Sequence, residues 1–75
     1  MSIDEIRGFR NAQPFHPFTL LLNDGRLLRV ELPQRIALAP DDRRIAVYQG
    51  DRLSLIEIEQ VRIASAEEHP TGQKR

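Results

Sequence analysis

Between Phe18 and Val30 two alternating apolar runs flank the triplet Asn23-Asp24-Gly25. Asp-Gly between such runs is a strong hairpin signal, because a tight hairpin needs positive φ at its centre and glycine supplies it without steric cost. Phe18, Leu20 and Leu22 lie on one face of the first strand, and Thr19, Leu21 and Asn23 on the other. After the turn, Leu28, Val30 and Leu32 share a face opposite Leu27, Arg29 and Glu31. Pro14 and Pro17 hold the lead-in extended, since the residue before each proline is pushed out of the α region.

The chain upstream reads as one short helix. Ser2 and Glu5 form a capping box, and Asp4 and Glu5 suit the positive end of the helix dipole. Ile3, Ile6 and Phe9 make one apolar stripe. Gly8 weakens the interior, and Pro14 closes a helix expected over about Ile3 to Ala12.

Downstream the pattern is strand after strand. Pro33 ends or bends the second strand, so Ile36 to Ala39 is either its continuation or a separate short strand. Pro40-Asp41-Asp42-Arg43 is a turn by composition. Arg44 to Gln49 alternates cleanly, with Ile45 and Val47 on one face and Arg44, Ala46 and Tyr48 on the other. Gly50-Asp51 is the next turn. Leu53 to Ile58 then changes phase: Leu53 and Leu55 lie on one face, Ile56 and Ile58 on the other. A strand apolar on both faces is buried on both sides, bulged, or an edge awaiting a partner. Glu59-Gln60 is a minimal break before a last strand begun by Val61 and Ile63.

This order predicts a mainly β domain over residues 1–66. Its expected form is a short N-terminal helix, then a small antiparallel five-stranded SH3-like or Sm-like barrel, or a strongly bent sheet. The expected core is Ile6, Phe9, Phe18, Leu20, Leu22, Leu28, Val30, Ile36, Leu38, Ile45, Val47, Leu55, Val61 and Ile63. Residues 67–75 are polar and read as a disordered tail.

A chain of 75 residues buries only a marginal core, and small domains add disulfides, a metal or a partner subunit. Cysteine is absent, which excludes disulfides and thiolate zinc sites. His16 and His69 lie at opposite ends of the chain, so no metal site and no cofactor is expected. Oligomerisation is then the expected source of extra stability. Eleven basic and eleven acidic residues give zero formal charge, which argues against bulk attraction to nucleic acid or anionic membrane. No apolar run approaches the roughly 18 residues of a membrane span, and the start of the chain lacks a signal-peptide apolar region. A soluble cytoplasmic protein is expected.

Chemistry-bearing groups are sparse. The acidic pairs are Asp41-Asp42, Glu57 with Glu59, and Glu67-Glu68. General acid–base pairs need a cleft that shifts their pKa values, and a barrel of this size offers none beside its core. They read as solvated surface, and Asp41-Asp42 as a turn. His16, between two prolines, has no evident partner to set its tautomer. No nucleophilic triad or glycine-rich phosphate loop is present, so no catalytic residue is assigned. Phe9, Phe15 and Phe18 read as core, with Phe15 and Phe18 clamping the helix to the sheet.

One constellation is less ordinary. Arg29, Arg44, Tyr48 and Arg62 point outward if Leu28/Val30, Ile45/Val47 and Val61/Ile63 point inward. Arginines interleaved with an aromatic are what single-stranded nucleic-acid binding uses. An ordinary charged sheet face, with Glu31 and Glu57 nearby, explains the same residues.

Two resemblances bear on the fold. The string Asn11-Ala12-Gln13-Pro14-Phe15-His16-Pro17-Phe18, with Asp24-Gly25-Arg26 and a C-terminal I-x-x-V segment, resembles a group of short uncharacterised bacterial proteins sharing a Q/E-P-F-x-P-F motif. The similarity spans about Ile3 to Ile63 and implies no activity. The element order is similar to Sm-like barrels such as the Hfq-type bacterial RNA chaperones. Phe18 to Arg29 would match the first conserved stretch and Ile56 to Ser65 the last. Where those chaperones carry a Tyr/Phe-Lys-His segment, this chain has Glu57-Ile58-Glu59-Gln60, which would repel phosphate, so no RNA-binding residue is carried over.

The expected function is a non-enzymatic interaction module that self-associates through Leu53, Leu55, Ile56 and Ile58, by main-chain pairing plus apolar side chains. The alternative is an Sm-like barrel binding single-stranded RNA through Arg29, Arg44, Tyr48 and Arg62.

Overall fold

The computed structural model describes residues 1–66. The expected tail, 67–75, and with it Glu67-Glu68 and His69, lies outside the described residues. Among the described residues one helix, α1 (Ile3–Asn11), precedes six strands: β1 (Phe18–Leu22), β2 (Leu27–Val30), β3 (Ile36–Leu38), β4 (Arg44–Gln49), β5 (Arg52–Glu57) and β6 (Val61–Ala66). Short 3-10 turns, Pro33–Arg35 and Ile58–Gln60, lead into β3 and β6.

The helix forms where the capping box predicts. The Ser2 hydroxyl accepts from the Glu5 amide at 3.3 Å, and the Glu5 carboxylate accepts from the Ser2 amide at 3.2 Å. Ile3 and Ile6 are buried, and Phe9 stacks on Phe18 with ring centroids 5.2 Å apart. Phe15 meets Phe18 edge-on at 6.0 Å, so three aromatic rings fasten the helix and lead-in to β1. Arg10 Nε donates to the Ile36 carbonyl at 3.3 Å and Arg7 reaches Asp42 at 3.1 Å, tying α1 to the β3 and β3–β4 turn end.

The strands make two antiparallel three-stranded sheets, β2-β1-β6 and β3-β4-β5. The expectation of five strands is corrected on count: Pro33 opens a 3-10 turn, and Ile36–Leu38 then pairs with β4 as its own strand. Closure into a barrel is corrected too. The 3-10 turn at Ile58–Gln60 carries the chain from β5 in one sheet to β6 in the other, so the two sheets share a core without a continuous hydrogen-bonded cylinder.

The β1–β2 turn is a three-residue loop. The Gly25 amide donates to the Leu22 carbonyl and the Leu22 amide to the Arg26 carbonyl, both at 2.9 Å, with Gly25 at φ +92°. That is a type I turn followed by a left-handed glycine, the commonest three-residue hairpin solution. The β4–β5 turn has two residues, Gly50 and Asp51, with positive φ at Gly50 alone, as a type II′ turn requires.

The core comprises Ile3, Ile6, Phe18, Leu20, Leu22, Leu28, Val30, Ile36, Ile45, Val47, Ile56 and Val61. Phe9 and Leu38 pack against it half-buried. Two expected members are outside. Leu55 is 73% exposed, because Ile56 and not Leu55 takes the inward phase of β5. Ile63 is 49% exposed because β6 bulges against β1: Leu22 aligns with Val61 but Leu21 with Ile63, so the extra residue, Arg62, flips the phase.

Candidate functional site

Strand β5 pairs with β4 alone among the described residues. The hydrogen-bonding phase follows from its two ends. Gln49 faces Arg52 across the two-residue turn, and the Ile58 amide donates to the Arg43 carbonyl at 2.7 Å. Antiparallel pairs alternate, so Arg52, Ser54 and Ile56 exchange backbone bonds with β4. Leu53, Leu55 and Glu57 turn their N–H and C=O groups to the open side.

Side chains alternate in step. Ile56 is 3% exposed, in the core, and Ser54 is half-buried on the same face. Leu53 (47% exposed) and Leu55 stand outward, opposite Tyr48 and Ala46 respectively. Ala46 is in turn opposite Ala37 on β3. The three positions form a shallow, largely apolar groove of about 230 Å³ across the outer face of this sheet, lined also by Leu38, Ala39, Ile45 and Arg44. The groove exists because two alanines lie beside a leucine that neither is large enough to cover.

Of the four residues expected at an association edge, Leu53 and Leu55 stand outward on the open edge strand β5. Ile56 lies in the core beneath, and Ile58 is half-buried at the start of the 3-10 turn. Ala37, Ala46 and Tyr48 complete the apolar face. The sequence signal for Ala37 and Ala46 was their outward phase beside Ile36 and Ile45, but small residues attract no attention by hydrophobicity alone.

The arginine set is divided. Arg29 and Arg62 lie on β2 and β6 at opposite edges of one sheet, while Arg44 and Tyr48 lie on the central strand of the other. The two sheets bury their facing sides, so their outer faces point apart. Arg44 pairs with Asp41 at 3.1 Å, and Arg29 pairs with Glu31. A single stacking groove lined by all four residues is not formed.

Beside the end of β5 lies an open recess of about 510 Å³ lined by Asp41, Arg43, Arg44, Glu57, Ile58 and Glu59. The expectation of no cleft beside the core is corrected here: the 3-10 turn and the β3–β4 turn step apart and leave one. Its walls mix three carboxylates with two guanidinium groups. The Arg43 amide, donating at 2.9 Å, and then Arg44 hold the Asp41 carboxyl below the usual carboxylate range. No group of three or more His, Asp or Glu residues able to hold a metal ion occurs among the described residues. No helix among them is long and apolar enough to cross a membrane. Compared with family models, with curated proteins and with solved structures, the chain matches none.

Proposed function

We propose that this chain is a non-enzymatic interaction module that self-associates through the open edge of β5. The observation that supports this reading is the contrast between β5 and the other exposed edges. Natural edge strands are blunted by shortness, charge, proline or a bulge. β3 has three residues and follows Pro33; β2 has four and carries Arg29; β6 bulges at Arg62. β5 has six residues, and its centre, Leu53-Ser54-Leu55-Ile56, carries no charge, proline or bulge. An edge whose charges, Arg52 and Glu57, lie only at its two ends, with outward leucines between them, suits strand addition, in which main-chain bonds supply affinity and alternate side chains supply specificity.

The test is solution mass by light scattering on a sizing column, with absorbance read at protein and nucleic-acid wavelengths, for the wild type and Leu55→Lys. An assembled wild type and a folded monomeric variant are expected. A wild type that stays monomeric at high concentration overturns the proposal. Co-elution with nucleic acid would favour the RNA-binding alternative instead.

A further inference from the structure

We infer that the occupant of the β5 edge is a second copy of this chain, docked antiparallel about a two-fold axis through Ser54, with Leu53 of each copy opposite Leu55 of the other. The inference rests on the reading of β5 as the self-association edge. Joined edge to edge, two copies would make one six-stranded sheet, β3-β4-β5-β5-β4-β3, whose outer face is continuous. Directly opposite residues in such a sheet share a face, so allowed registers differ by steps of two residues.

The partners of Leu53 and Leu55 select among them. With the axis at Leu53, Leu55 faces Asp51 of the other copy. With the axis at Leu55, Leu53 faces Glu57. Only the axis at Ser54 sets both leucines against leucines, giving four together on the outer face beside Tyr48 and Ala46 of each copy. Leu53 and Leu55 are also residues whose backbone groups face the open side, so both pairs can exchange main-chain bonds. Ser54 meets Ser54 on the inward face of the sheet, where it is half-buried in the single chain. Zero formal charge removes general repulsion between copies.

The size of the contact sets its strength. A six-residue edge runs about 20 Å. A specific interface takes on the order of 600 Å² or more from each partner, against a total exposed surface of 5087 Å² for this chain. One strand edge with flanking leucines and Tyr48 lies at the small end of that range, so the dimer is a weak one. At each end, Glu57 faces Asp51 of the other copy, and this like-charge pair weakens it further.

The cysteine-free chain permits a direct test. Single variants Ser54→Cys, Leu53→Cys and Leu55→Cys are oxidised gently and followed on non-reducing gels, with the wild-type mass measured alongside. Across the axis Ser54 is a non-hydrogen-bonded pair, with Cα atoms about 4.5 Å apart, inside the span a disulfide bridges. Ser54→Cys is expected to link on the order of ten-fold faster than the other two, since only there do identical residues meet at bonding distance. Faster linking at position 53 or 55, or equal slow linking of all three in a protein that is dimeric by mass, overturns the register and leaves association standing. A monomeric wild type overturns both. Independently, Asp51→Asn is expected to tighten the dimer several-fold, and weakening would overturn the register.

Discussion

Leu55 and Ala46 lie directly opposite one another across β4 and β5, and the alanine leaves the leucine 73% exposed. One residue along, Ile56 opposite Ile45 is 3% exposed. Adjacent residues of similar hydrophobicity thus do different work. Ile56→Ala should cost about 2–5 kcal/mol, the usual loss for a truncated core aliphatic. Leu55→Ala should leave monomer stability within about 0.5 kcal/mol, as for other surface changes. Denaturant midpoints at a concentration where the protein is monomeric check both. Equal losses would mean that Leu55 is covered within the monomer.

Gly25 should tolerate substitution poorly for a reason of backbone alone. A Cβ there would meet nothing within 4 Å, yet φ is +92°. Gly25→Ala is expected to cost about 1 kcal/mol, and Gly25→Val more, because branching at Cβ disfavours positive φ. Thermal unfolding of Gly25→Asn alongside them distinguishes this from a packing effect: asparagine, larger than alanine but tolerant of positive φ, should cost no more than alanine, whereas a packing effect would make it cost more.

Asp42 is the one non-glycine residue with positive φ among the described residues, at +59°. It sits in the β3–β4 turn and accepts from Arg7 of α1 at 3.1 Å. Asp42→Asn should change stability by less than about 0.5 kcal/mol, since asparagine tolerates this conformation and the exposed ion pair contributes little. Asp42→Val should lose about 1–2 kcal/mol from the forced left-handed backbone. Chemical denaturation of the two variants tests the ordering.

Acid should loosen two turns together. The Arg26 amide, donating at 3.1 Å, and then the Arg26 side chain hold Asp24 below the usual carboxylate range, as the Arg43 amide and Arg44 do for Asp41. A carboxyl lowered in the folded state binds protons more readily when unfolded. Its stabilisation is therefore fully present above the unfolded pKa and is lost as pH falls through the folded value. The unfolding midpoint should drop as pH falls below about 5, and drop less in the Asp24→Asn/Asp41→Asn double variant. A double variant with the same acid profile as the wild type would contradict this.

Local chemistry by itself determined much of this protein. Ser2 with Glu5 fixed the start of the helix, because the caps lie within one turn of the chain. Asn23-Asp24-Gly25 and Gly50-Asp51 fixed two hairpins, because positive φ is a property of the residues present. The alternation in β1 and β4 named their buried faces, because only one face of each carries the bulkier apolar set that a core needs. Tertiary structure decided the rest. In β5 both phases are apolar, and periodicity cannot choose between Leu55 and Ile56; packing against Ile45 and its neighbours does. In β6 the bulge at Arg62 reverses the side on which Ile63 lies, and a bulge is set by pairing with β1. The separation of Arg29 and Arg62 from Arg44 and Tyr48 likewise follows from the two crossings between the sheets, at Pro33–Arg35 after β2 and at Ile58–Gln60 before β6. Which strands share a sheet is a non-local choice, made by the core as a whole.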